Sequence, residues 1–225
     1  MLKTPIVIVN FKTYPEATGD AALKLARLIF EAGERRGVSV AIAPQTADIA
    51  RIAAGIKIPV LAQHVDPIKQ GRNTGWITSE SVKAAGAIGT LVNHSEHKLS
   101  LDGVAAAVAR AKEVGLSTVA CAADMAESRK IAAMAPEVIA VEPPELIGTG
   151  ISVSKAKPEV VINSVRAVKD LNSKIKVLCG AGITSGGDVA KAIELGAEGV
   201  LIASGVVCAK DQRAAIDDVL GGIAR

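Results

Sequence analysis

The sequence predicts an α/β protein built as a single compact (β/α)8 barrel with short loops, one domain over residues 1–225. Three observations carry that expectation. Short apolar runs rich in β-branched residues recur eight times along the chain. They are continuous rather than alternating, the pattern of parallel strands buried on both faces. Segments of helical period separate them, with no linker or low-complexity stretch between. A doubly wound open sheet is the competing arrangement, but it often carries a G-x-G-x-x-G turn after its first strand. Here the first run leads into Asn10-Phe11-Lys12, without such glycines.

The elements follow in order. Residues 6–9 form the first strand, and a helical period over 20–36 closes at Gly37. Glycine suits the left-handed residue that ends a helix. The second strand is 38–43, and Thr46 caps a reduced helical segment reaching to about Gly55. The third strand, 60–62, is followed by a loop at 71–78 and a helix capped by Ser79. Strand four is 88–92; Ser100 caps a helix over 101–114, which Gly115 ends. Strand five is 118–121, with a helix over 127–135, and strand six is 138–141. A helix over 159–171 leads to strand seven, 175–178. Ser185 caps a helix over 188–195 that ends at Gly196, and 199–202 is the eighth strand.

Composition narrows the function. With 49% hydrophobic and 22% charged residues, the chain can build an ordinary globular core. No run of roughly 18 apolar residues is long enough to span a membrane, and the N-terminus has no signal-peptide pattern. Cys121, Cys179 and Cys208 stand far apart in apolar surroundings, without C-x-x-C spacing. That pattern points to a reducing cytoplasm and away from disulfides or a zinc site. The net charge of +3 is spread without a basic block, and Phe11, Phe30, Tyr14 and Trp76 are the only aromatics. Nucleic acid is therefore not an expected partner, whereas a small anion is.

Barrels of this kind place their sites at the C-terminal ends of the strands. Strand one is followed by Asn10 and Lys12, strand three by Gln63, His64 and Asp66, and strand four by Asn93, His94, Ser95 and Glu96. Strand five offers Cys121 and Asp124, and strand six offers Glu142. Strands seven and eight offer Gly180-Ala181-Gly182 and Ala203-Ser204-Gly205, small residues expected to open helices whose backbone N–H groups bind phosphate. Glu142 also begins EPPELIGTG, where Pro143 and Pro144 stiffen one end and Gly148 and Gly150 loosen the other. That composition describes a hinged lid beside a carboxylate, which would exclude water from it. A carboxylate, an imidazole, an ammonium and a phosphate cradle suit proton transfer next to the carbonyl of a phosphosugar.

NFKTY at Asn10–Tyr14, NHSE at Asn93–Glu96 and EPPELIGTG at Glu142–Gly150 occur in that order. Together they resemble triosephosphate isomerases of the archaeal type, TIM barrels, and the resemblance covers the chain from Asn10 to about Lys210. It implies isomerisation of D-glyceraldehyde 3-phosphate and dihydroxyacetone phosphate in glycolysis and gluconeogenesis, with no metal or organic cofactor. Glu142 would be the base, His94 a neutral electrophile with Ser95-Glu96 opening a helix behind it, and Lys12 the cation beside the enediolate; this tuning of acid and base is the family's known pattern. Asn10 would bind substrate and hold Lys12, and Glu96 would support Lys12. Backbone groups at Ile147, Gly148, Gly182, Ala203 and Ser204 would cradle the phosphate. Thr74 matches a threonine that reaches the neighbouring subunit's site, which implies a homo-oligomer, at least a dimer and expectedly a homotetramer.

Two departures from the commoner members stand out. The lid carries Glu145 where they have tryptophan, and Cys179-Gly180-Ala181-Gly182 lacks the tyrosine and serine hydroxyls that latch their closed lid. Trp76 and His97 replace a cross-subunit Glu–Arg pair, so an aromatic contact is expected in its place. Two other functions fit the same barrel: an aldolase using Lys12 as a Schiff base, and a non-catalytic phosphometabolite sensor.

Overall fold

The computed structural model describes residues 2–143 and 153–223. Its strands are β1 (Ile6–Asn10), β2 (Ser39–Ala43), β3 (Leu61–Ala62), β4 (Gly89–Val92), β5 (Ser117–Ala122), β6 (Val138–Val141), β7 (Lys176–Cys179) and β8 (Gly199–Ile202). They form one parallel sheet ordered β2-β1-β8-β7-β6-β5-β4-β3. The sheet closes where Ile42 bridges Val60 and its N–H donates to the Pro59 carbonyl at 3.0 Å. The result is a (β/α)8 barrel, as the sequence predicts. Every strand lies within one residue of its expected bounds.

The continuous apolar runs follow from two buried faces. Ile6 and Ile8 of β1 point inward and meet Ala41, Leu61, Leu91, Val119, Val138, Ala140, Leu178 and Leu201. Val7 and Val9, one residue out of phase, pack outward in a core shared with Leu25 and Ile29 of α1 (Asp20–Arg36) and Leu220 of α10 (Gln212–Gly221). On the opposite wall, Val92, Ala120, Ile139 and Val177 share a core with Val104 of α4 (Leu101–Glu113), Ile131 of α5 (Met125–Ala132) and Val168 of α7 (Pro158–Leu171). Fully burying one such side chain stabilises the fold by roughly 1.5–3 kcal/mol. Period-two geometry then points the next inward position of each strand at the mouth of the barrel.

Most helix boundaries match the expected caps. Ser100 accepts from the Gly103 N–H, and Ser185 forms a capping box with Asp188 at the start of α8 (Gly186–Glu194). Gly37, Gly115 and Gly196 have left-handed φ values of 65, 75 and 94° at or just past their helices. Two caps differ from expectation. Thr46 and Ser79 stand one residue inside their segments, behind Gln45 and Thr78. Thr78 is extended and accepts from the Ser81 N–H, and two adjacent hydroxyl residues give a sequence no means of choosing between them. Helix α5 begins two residues early because Asp124 caps it, accepting from the Glu127 N–H at 2.8 Å. The reduced segment is a 3-10 turn, Thr46–Asp48, followed by α2 (Ile49–Gly55). Helices α3 (Ser79–Ala84), α6 (Val153–Ala156) and α9 (Ser204–Val207) complete the ring. Cys121 and Cys179 are buried, but Cys208 is exposed, contrary to the apolar setting expected of all three.

Candidate active site

Inward phase determines what reaches the mouth. Ile6-Ile8 continues to Asn10, Val138-Ala140 to Glu142, Leu178 to Gly180 and Leu201 to Ala203. A cavity of about 500 Å³, counting its open mouth, is lined by Asn10, Lys12, His94, Glu142, Gly180, Gly182, Thr184, Ala203 and Ser204, with Ile183, Leu201 and Ile202 behind them. The structure thus brings the expected residues of strands one, four, six, seven and eight around one space. Ile147 and Gly148 lie outside the described residues, as do the rest of the expected lid from Pro144 and its latch.

Glu142 is 2% exposed. Its backbone N–H donates to the Ala122 carbonyl at 2.7 Å, which anchors it to β5. Burial raises its carboxyl to a pKa of about 7, although the Cys121 thiol and Lys12 pull the other way. Its Oε2 is buried without a hydrogen-bond partner, and its Oε1 lies 3.6 Å from His94 Nε2. Gly180 makes this seat: a Cβ there would fall 2.6 Å from Glu142 Cγ and 2.9 Å from its Oε1.

His94 is buried and its pKa is lowered to about 4, chiefly by desolvation, with Lys12 and Lys98 lowering it and Glu96 opposing. The expected helix behind it is absent. Ser95-Glu96 form one tight turn, closed by the His97 N–H on the His94 carbonyl at 2.8 Å, and α4 starts only at Leu101. The imidazole is therefore kept neutral by burial and neighbouring cations, not by a helix terminus. The Glu96 N–H donates to His94 Nδ1 at 3.2 Å, so the ring proton resides on Nε2, facing Glu142.

Lys12 is fixed at three points. Its N–H donates to Asn10 Oδ1 at 3.0 Å, its carbonyl accepts from Gln63 Nε2 at 2.9 Å, and its ammonium pairs with Glu96 Oε1 at 2.6 Å. These bonds hold an unusual left-handed backbone, φ 47°. Asn10 and Glu96 thus stand where the sequence expects, as partners of Lys12. Gln63's staple, Gly180's seat and the Cys121 contact went unassigned in the sequence, though all three residues stand at strand ends.

The β7 side also departs from expectation. Its small residues do not open α8 directly, because residues 183–185 intervene. The first N–H groups there are already engaged: Thr184 and Ser185 donate to Asp188, and Gly186 donates to Asp218 at 2.8 Å. Gly182 itself lines the cavity in a left-handed conformation, φ 68°. Beyond β8 the short α9 opens at Ser204, as expected, with Ala203 just before it and no side-chain cap. Thr74 is exposed, in a loop that Asp66 closes by accepting from the Ile77 N–H at 2.7 Å, and it does not line this chain's own cavity. Among the described residues no acidic, His or Cys cluster could hold a metal ion, and no helix is long and apolar enough to cross a membrane.

The triosephosphate isomerase family model matches residues 5–219. Triosephosphate isomerase of Methanothermus fervidus is 50% identical over 216 residues, covering 96% of this chain and 97% of that protein. That of Methanobacterium bryantii is 50% identical over 98% of both chains, and that of Methanocaldococcus jannaschii 48% identical over 96% of this chain and 98% of its own. The match runs through all eight strands and both sides of the cavity, and the chain belongs to the triosephosphate isomerase family.

Proposed function

We propose that this protein interconverts D-glyceraldehyde 3-phosphate and dihydroxyacetone phosphate through an enediolate, serving glycolysis and gluconeogenesis in the cytoplasm. One observation carries the mechanism: a buried carboxylate with a pKa of about 7 faces a neutral, Nε2-protonated imidazole across 3.6 Å. A base poised near neutral pH takes a carbon-bound proton most effectively there. The Glu142 carboxylate removes the proton from the carbon beside the carbonyl. His94 Nε2–H polarises the carbonyl oxygen, and the Lys12 ammonium stabilises the negative charge as it develops. His94 gives its Nε2 proton to the oxyanion and recovers a proton from the neighbouring hydroxyl, and Glu142 returns its proton to the adjacent carbon, so that carbonyl and hydroxyl exchange places. Asn10 orients substrate and Lys12 together. The phosphate sits against the backbone of Gly182, Ala203 and Ser204, whose donors need little reorganisation around a dianion. The chemistry assigned to these residues draws on no metal or organic cofactor.

The working unit is a homo-oligomer, at least a dimer and by our proposal a tetramer. Trp76 is 56% exposed on the loop that carries Thr74, a poor place for a lone aromatic ring in water. A second depression beside the first, lined by Thr13, Thr46, Gln63, His64, Ile77 and His97, opens on Lys12 and His94 and offers that loop of a partner subunit a seat. Sedimentation of Trp76→Ala should show a smaller species; unchanged association would remove the aromatic contact from the account.

A coupled assay converting glyceraldehyde 3-phosphate to dihydroxyacetone phosphate tests the reaction. Turnover is expected; its absence would overturn the isomerase reading and favour a sensor. Borohydride added with substrate should leave the protein unmodified, whereas covalent trapping on Lys12 would identify an aldolase.

A further inference from the structure

Asn93 lies between β4 and His94, and the reaction above assigns it no role. It is 1% exposed, with a left-handed backbone at φ 62°. Asparagine tolerates that conformation better than most residues, and the turn aims the next residue into the cavity. Its side chain is bonded at three points. Nδ2 donates to the Cys121 carbonyl at 2.9 Å and to Glu127 Oε1 at 3.1 Å, and Oδ1 accepts from the Leu99 N–H at 3.0 Å. Glu127 is itself held, by Lys98 at 2.5 Å and by the Ala123 N–H at 2.6 Å. Burial pushes its carboxyl pKa up, but the bonds from Lys98, Ala123 and Asn93 outweigh burial and keep it ionised.

The connectivity matters more than any one bond. The Leu99 contact closes the loop that carries His94 and Glu96. The Cys121 contact ties that loop to the end of β5, and the next carbonyl along, Ala122, receives the Glu142 N–H. A continuous path of short bonds therefore links the imidazole to the carboxylate it faces. We infer that Asn93 is a positioning residue that, together with Glu127, fixes the approach of His94 to Glu142; this rests on the isomerase reading. A glycine would make the turn more freely but carry no strut. A misplacement of about 1 Å in such a pair costs on the order of a hundredfold in rate.

Asn93→Asp keeps the tolerance for the turn and the acceptor for Leu99, but sets oxygen against Glu127 and the Cys121 carbonyl. Its kcat per folded molecule should fall roughly ten- to a hundredfold. KM and inhibition by inorganic phosphate should stay within about threefold, because the phosphate cradle lies across the cavity. Combining Asn93→Asp with Glu127→Gln restores an amide–carboxylate contact with donor and acceptor exchanged, and should recover part of that loss. Asn93→Gly, which keeps the turn, guards against a variant that fails to fold and should lose about tenfold. If both single variants at Asn93 kept kcat within about twofold of the unaltered protein while melting at lower temperature, the role would be structural alone and the inference would fall. If the unaltered protein did not turn over substrate, the isomerase reading would fail first, before any substitution was compared.

Discussion

Glu142, His94 and Lys12 on one side of the mouth are held by partners to their side chains or flanking backbone, whereas Gly180, Gly182 and Ala203 on the other side present almost no side chain. The first side places charge and protons: a carboxyl raised to about 7, an imidazole lowered to about 4 and an ion pair at 2.6 Å. The second side works by leaving space. Gly180 admits the carboxylate that a Cβ would strike at 2.6 Å, and Gly182 takes a φ of 68°. Under the proposed function, chemistry falls to β1, β4 and β6 and binding to β7 and β8, so substitutions on the two sides should fail in different kinetic constants.

The largest effect is expected from Glu142→Gln. Losing a general base costs about 10²–10⁴-fold in kcat, while competitive inhibition by inorganic phosphate should not change. Gly180→Ala should come next, on the order of a hundredfold in kcat, because the new methyl displaces Glu142 without removing it. That variant sharpens the comparison: it sits on the binding side but should behave as a chemical-side mutant. Gly182→Ala should do the reverse. Strain at its left-handed φ costs roughly 1–2 kcal/mol, seen as about a tenfold rise in KM and in the phosphate inhibition constant with kcat nearly held. Ser204→Ala should change KM by less than about threefold if the backbone supplies the contact. A larger change would mean that the hydroxyl binds phosphate.

The pH dependence carries the same division. In the free enzyme Glu142 must be ionised to act, so kcat/KM should fall as pH drops below about 7. Stability has the opposite sign. Between the ordinary value of 4.5 and about 7 the folded chain keeps a proton that the unfolded chain has lost, so ionising this buried group weakens the fold as pH rises through that window. Glu142→Gln should therefore melt a few degrees higher than the unaltered protein above pH 7, with the gain vanishing below about 4.5. His94 runs the other way: its folded value of about 4 lies below the usual 6.5, so its contribution is present above 6.5 and is lost on acidification towards 4. Equal melting curves for Glu142→Gln and the unaltered protein at pH 8 would mean that the carboxyl is not strained by burial.

The barrel and its chemical side were legible because each polar residue there interrupts an apolar run at a strand end. Asn10, His94 and Glu142 announce themselves in that way, and the partners of Lys12 follow from them. The binding side was legible only in outline, since a glycine states that space is needed without saying for what. Gly180's role depends on the register that brings β7 beside β6, and Gln63's staple on the closure between β2 and β3; neither is encoded locally. The helix expected at Ser95-Glu96 failed for a related reason: Asn93 and Leu99 close that stretch as a loop across six positions of chain, and a local helical start cannot compete with those partly buried bonds.

The proposed isomerisation depends most on Glu142 moving a carbon-bound proton, and hydrogen exchange reads that step directly. Dihydroxyacetone phosphate incubated with the protein in D2O should acquire deuterium at the hydroxyl-bearing carbon that loses its proton, and the Glu142→Gln protein, folded and still inhibited by inorganic phosphate, should leave the substrate unlabelled over the same period. Labelling by that variant at a rate close to that of the unaltered protein would contradict the central claim.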